Sequence, residues 1–179
     1  MHTSLQSSRA PATKKWFAFP KANPEARLRL FCLPYAGGGA HIYFPWQEKL
    51  SPSVEVCAVQ LPGRGMRFGD KPFRHHKQII QELVMAMRDY IDKPYAIFGH
   101  SMGALLAYEL AQSIREHNLP QPGHLFVSGR RAMHIPTDKN AIYDLPESEL
   151  IKELRDLNGT PTEVLENKEL MQMVLPVIR

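Results

Sequence analysis

Five consecutive residues, Gly99-His100-Ser101-Met102-Gly103, place a serine two positions from a glycine on either side. This is the G-x-S-x-G pattern of a nucleophilic serine carried on a sharp strand-to-helix turn. The chemistry it offers is acyl transfer. The hydroxyl attacks a carbonyl, and backbone N–H groups stabilise the oxyanion that forms. Glycines flank the turn because neighbouring backbone packs too closely there for other residues. A helix opening behind the serine adds partial positive charge near the oxyanion. A serine that merely caps a helix would ask for neither His100 nor glycine on both sides. Five residues with three fixed types recur by chance, so the context decides. Here an apolar run, Tyr95 to Gly99, leads straight into Ser101, and an amphipathic stretch from Met102 to about Glu116 follows.

Such a serine needs N–H donors from the loop after an earlier strand. Leu33-Pro34-Tyr35-Ala36-Gly37-Gly38-Gly39 sits where that loop belongs. The expected donors are the backbone N–H of Met102 and one from Tyr35 or Ala36. The plain alternative is a flexible turn.

Other chemistries fit poorly. Gly37-Gly38-Gly39 lacks the Gly-Lys-Ser/Thr ending of a phosphate loop. Gly63-Arg64-Gly65 begins a dinucleotide-like pattern, but the third glycine falls at Gly69 and no helix opens there. The adjacent His75 and His76 would point apart on a helix, whereas a metal pair prefers a spacing of three or four. His117 and His124 have no nearby carboxylate or cysteine, so no metal site is expected. Met85 and Met87 read as core fillers.

The elements that must position the serine follow from periodicity. Short apolar runs at Leu28 to Leu33, Val54 to Gln60, Tyr95 to Gly99 and Leu125 to Ser128 read as strands. Their near-continuous hydrophobicity suits a parallel sheet covered on both faces. A short helix is expected from Tyr43 to Leu50. Ile79, Ile80, Leu83, Val84 and Met87 mark an amphipathic helix over His76 to Ile91. Strands alternating with helices argue for an α/β domain. After Arg131 the pattern changes: Leu145 to Leu157 and Asn167 to Leu175 read as helices with no strand between them. The expected organisation is a flexible leader over 1–27, a partial α/β core over 28–135 and a helical segment over 136–179.

Composition sets the outer limits. The chain has 179 residues, 44% hydrophobic and 22% charged, which suits one soluble globular domain and excludes a disordered chain. No apolar run reaches the roughly 18 residues of a membrane helix. The first 25 residues lack a signal peptide's apolar stretch. Cys32 and Cys57, the only two cysteines, lie in apolar runs and read as reduced thiols of a cytoplasmic protein. The net charge of +4 comes from scattered basic residues, without the aromatic-and-basic pattern of a nucleic-acid-binding sheet.

Four segments in order carry a resemblance. They are Leu33-Pro34-Tyr35-Ala36-Gly37-Gly38-Gly39, Gln60-Leu61-Pro62-Gly63-Arg64, Phe98-Gly99-His100-Ser101-Met102-Gly103-Ala104 and Val127-Ser128-Gly129-Arg130-Arg131-Ala132. From about residue 28 onward the chain resembles the type II thioesterases, α/β-hydrolases that accompany polyketide and nonribosomal peptide synthetases; an oleoyl-carrier-protein hydrolase is a relative. Leu145-Pro146-Glu147-Ser148-Glu149-Leu150 and Asn158-Gly159-Thr160-Pro161 resemble that family's helical lid. The resemblance implies hydrolysis of acyl thioesters from the phosphopantetheine arm of an acyl or peptidyl carrier protein. It implies Ser101 as nucleophile, lid helices lining the acyl channel, and no cofactor held by the protein. Arg64, Arg67, Lys71 and Arg74 would meet the acidic carrier protein or its phosphate, or form a solvated surface.

The resemblance also implies a departure. In this fold the triad runs Ser, then Asp, then His, on strands after the lid. Residues Met173 to Arg179 resemble the close of the lid, so the chain reads as stopping short of its acid and base. A crippled or inactive hydrolase is expected. Within the chain, His134 with Asp138 is the one substitute pair, because His134 follows the C-terminal end of the fourth strand. Its plain reading is a loop leading into the lid. Two other functions stay open: a non-catalytic module that binds a carrier protein or acyl chain, and a general serine esterase or lipase.

Overall fold

The computed structural model describes residues 15–135, 144–156 and 162–178. The chain divides into two compact units, with the division between Arg130 and Arg131.

Among the described residues the first unit has five strands: β1 (Phe17–Ala18), β2 (Leu28–Leu33), β3 (Val54–Val59), β4 (Tyr95–His100) and β5 (His124–Ser128). They lie in the order β1-β3-β2-β4-β5. β1 runs antiparallel to β3, and the other pairs are parallel. The expected α/β arrangement is present. Alternate side chains of each strand leave on opposite faces, and both faces of the central strands are covered. Phe31, Leu33, Cys57, Val59 and Ile97 pack with Ile80, Leu83, Val84, Met87, Leu106 and Leu110. The latter come from α2 (His76–Met87) and α3 (Met102–Glu116). Leu30, Cys32, Val56, Ala58 and Ala96 pack on the other side with Ala40, Tyr43 and Trp46. Burial on both faces explains why these strands read as continuous apolar runs.

Three expectations are corrected. Residues 15–27 are not a flexible leader: Trp16 and Phe17 are buried, and β1 pairs Phe17 with Val59 and Ala18 with Ala58. The aromatic pair supplies enough apolar area to hold a two-residue strand on the edge of β3. The single helix expected from Tyr43 to Leu50 is instead a 3-10 turn (Ala40–Tyr43) and a four-residue helix, α1 (Trp46–Lys49). Pro45 lies between them and donates no backbone N–H. Met87 is buried, but Met85 is half exposed. Two residues along a helix turn a side chain to the opposite side.

The second unit holds α4 (Glu147–Asp156), α5 (Thr162–Glu166) and α6 (Lys168–Ile178). Leu150, Leu154, Leu165, Met171 and Leu175 form its core. The short helix α5 was not expected from the sequence. Asn158-Gly159-Thr160-Pro161 lies outside the described residues. No helix among the described residues is long and apolar enough to cross a membrane.

Candidate active site

β4 ends at His100 and α3 begins at Met102, so Ser101 alone makes the turn between them. Its backbone has φ 54° and ψ −112°. Positive φ in a residue with a Cβ is strained and persists only where the surroundings enforce it. Here they do. The Ser101 N–H donates to the Ser128 carbonyl at 2.8 Å, and the Ser101 carbonyl accepts from the Ala104 N–H at 3.0 Å.

The two glycines serve close approach. A Cβ on Gly99 would lie 2.0 Å from the Gly103 carbonyl oxygen, and one on Gly103 would lie 2.2 Å from that of Leu33. The turn therefore packs its helix directly on the strand before it and on the end of β2. The Ser101 side chain does not cap α3, and the first turn of that helix carries no acidic residue. The N–H groups of Met102 and Gly103, and the helix's partial positive charge, are left for another acceptor.

The chain visits β2, then β3 on one side, then β4 on the other. The crevice at the carboxyl ends of β2 and β4 is thus a topological switch point, where ligands bind in open parallel sheets. The register pairs Leu33 with Gly99, so the segment after Leu33 and the turn at Ser101 leave the sheet side by side. Tyr35 to Gly38 forms a tight turn, closed by the Gly38 N–H on the Tyr35 carbonyl at 3.0 Å. Gly37 sits at φ 78°, as the third position of a type II turn requires. Tyr35 and Ala36 are exposed, and among the described residues their N–H groups make no hydrogen bond. Ser101, Met102, Tyr35 and Ala36 are thus brought to one end of the sheet.

His100 is turned aside. Its Nδ1 lies 3.1 Å from Ser128 Oγ, and its ring meets Tyr35 edge-on with centroids 6.2 Å apart. Gly129, at φ 63°, leaves the ring its space, since a Cβ there would come within 2.4 Å. Ser128 is the residue that sequence reasoning missed. Its signal was position: Ser128 ends β5 as His100 ends β4, and the register pairs the two. His134 belongs to the second unit, where it is exposed beside a turn closed by the Ile135 N–H on the Ala132 carbonyl. Asp138 lies outside the described residues.

The basic loop is only partly available to a partner. Arg64 is buried, its Nη1 donates to the Pro62 carbonyl at 3.0 Å, and burial lowers its pKa to about 10. Arg67 pairs with Asp70 at 2.8 Å and lies over the Trp16 ring at 4.7 Å. Lys71 and Arg74 are exposed. Among the described residues no group of three or more His, Cys, Asp or Glu could hold a metal ion.

The thioesterase domain family matches residues 28–179. The gramicidin S biosynthesis protein GrsT of Aneurinibacillus migulanus is 46% identical over 165 residues, which cover 92% of this chain and 64% of that protein. The human medium-chain S-acyl fatty acid synthase thioesterase is 36% identical, with 88% of this chain and 60% of the relative covered. Among solved structures, the thioesterase RedJ from the prodiginine pathway of Streptomyces coelicolor superposes with a TM-score of 0.78 at 40% identity. That match covers 88% of this chain and 65% of RedJ. The chain thus spans somewhat less than two thirds of the length of these relatives.

Proposed function

The chain belongs to the thioesterase domain family, and from that premise we propose that it carries the nucleophile and oxyanion half of an acyl-thioesterase site. The observation that carries the reading is Ser101. It is held at φ 54° at the switch point, beside backbone N–H groups that no other described group uses. Ser101 Oγ attacks the thioester carbonyl, its proton passes to a base, and the thiol of the phosphopantetheine arm leaves. Water then cleaves the acyl-enzyme. Met102 N–H, with that of Tyr35 or Ala36, holds the oxyanion in each tetrahedral intermediate. The protein holds no cofactor in this scheme; the phosphopantetheine arrives on an acyl or peptidyl carrier protein. Lys71 and Arg74 are the exposed cations left to meet that acidic partner or its phosphate.

Three histidines of the first unit are engaged elsewhere. His100 faces Ser128, the His117 Nδ1 lies 2.8 Å from the Ser113 carbonyl, and His124 stacks on Phe126. His134 with Asp138 is retained as the substitute to be tested. Losing the base of such a triad lowers turnover on the order of a millionfold, and an intact oxyanion hole retains about a thousandfold over water.

The test is to incubate the 179-residue chain with an acyl-carrier-protein thioester, beside Ser101→Ala and His134→Ala. Slow acylation that is lost in Ser101→Ala and kept in His134→Ala is expected. Acylation that persists in Ser101→Ala overturns the reading. Full-scale turnover lost in both variants installs His134 as the base. Carrier-protein binding without any acylation identifies a binding module instead.

A further inference from the structure

We infer that Gln60 is a positioning residue for the oxyanion loop, an assignment that rests on the reading of Ser101 as nucleophile. Gln60 follows β3 and is 5% exposed. A neutral amide offers one acceptor oxygen and two N–H donors, and all are engaged. Oε1 accepts from the Ala40 N–H at 3.1 Å, and Nε2 donates to the Leu61 carbonyl at 3.2 Å and the Arg64 carbonyl at 2.6 Å. The amide thus bridges two segments twenty residues apart in the chain.

Ala40 is where the segment bearing Tyr35 and Ala36 re-enters regular structure. It is the first residue of the 3-10 turn, and Gly39 before it has no side chain to cap that turn. Its N–H would otherwise be a buried donor without a partner. The other end of the segment is held separately. Leu33 is fully buried, its carbonyl accepts from the Tyr43 hydroxyl at 2.8 Å, and Gly103 packs against it. Between these anchors Tyr35 and Ala36 are exposed, so Gln60 is the side chain that fixes the far end of their loop. Gly65, at φ 49°, is shaped around the same amide: a Cβ there would lie 3.0 Å from Oε1.

The experiment compares Gln60→Leu, which removes every polar contact, with the unsubstituted chain. Amide hydrogen exchange over residues 35–40 reports loop anchoring. Acylation of Ser101 by p-nitrophenyl hexanoate reports its use: the Oγ–acyl bond forms, p-nitrophenolate leaves, and the serine proton goes to water. In Gln60→Leu, exchange over 35–40 rises at least about tenfold while β2 and β4 stay protected. The limiting acylation rate falls about tenfold or more with an unchanged half-saturating ester concentration, as expected for a misplaced donor rather than lost binding. A folded Gln60→Leu chain with unchanged exchange, or with unchanged limiting rate, overturns the assignment. If the unsubstituted chain is not acylated, the Ser101 reading fails, and exchange at Ala40 still decides whether Gln60 anchors the loop.

Discussion

A methyl group at Gly103 would lie 2.2 Å from the Leu33 carbonyl oxygen, whereas one at Gly69 would meet nothing within 4 Å. The obstruction at Gly103 is backbone, which cannot swing aside. Gly103→Ala should therefore cost about 3 kcal/mol, at the upper end for overpacking, and Gly69→Ala about 0.5 kcal/mol or less. Urea denaturation midpoints check both. The cysteines make a second case at this scale. Cys32 and Cys57 are both fully buried. In the paired strands β2 and β3, Cys57 lies opposite Phe31, so it shares that residue's face while Cys32 points to the other. Burial pushes the Cys32 thiol far above its ordinary pKa, so the reactive thiolate is suppressed. Neither thiol should react with a disulfide reagent in the native chain, and both should react at once in denaturant. Rapid labelling of Cys32 without denaturant would contradict this.

At the level of elements, Arg29 sits inside the apolar strand β2 and pairs in register with Glu55 of β3. Its Nε lies 2.7 Å from Glu55 Oε2, its Nη1 donates to the Tyr90 carbonyl at 2.5 Å, and it also pairs with Asp92. Both Arg29 and Glu55 are buried, at 3% exposure each. Such a pair is worth little against apolar replacements, but removing one partner strands a buried charge at a cost of about 3–5 kcal/mol. Arg29→Met should show that loss at neutral pH. Glu55 keeps the Asn23 N–H at 2.8 Å and Lys93 at 4.0 Å, so the loss should fall at the lower end of that range. Urea denaturation of both chains at neutral pH checks it, and an unchanged midpoint would rule out the buried pair as a stabilising contact.

For the 179-residue chain as a whole, β5 lies at the sheet edge among the described strands and is exposed along its length. Phe126 and Val127 are 50% and 53% exposed. An exposed apolar edge strand is a template for pairing with another chain. The 179-residue chain should self-associate with rising concentration, and Val127→Lys should reduce this. Sedimentation velocity at several concentrations reads the result. A chain that stays monomeric throughout, with or without lysine at 127, would show that β5 is not the contact.

Local chemistry was legible from the amino-acid order. The central strands β2, β3 and β4, the helix after Ser101 and the strand-turn-helix setting of that serine all followed from apolar periodicity and glycine spacing. These depend on neighbours within a few residues, and short-range sterics decide them. What depended on residues far apart was not legible. Residues Trp16 and Phe17 look like the end of a polar leader until β3 offers them an edge. Arg64 looks like a surface charge until the turn after β3 folds it inward. Gln60 is one residue of a short motif until Ala40, twenty positions earlier, arrives at its oxygen. Only the parallel register of β2 and β4 sets Leu33 beside Gly99 and so brings the Tyr35 turn to Ser101. Period and turn chemistry are written along the chain. Which buried donor meets which acceptor is settled by packing, because each unpaired group in the interior carries a penalty that only the assembled sheet can remove.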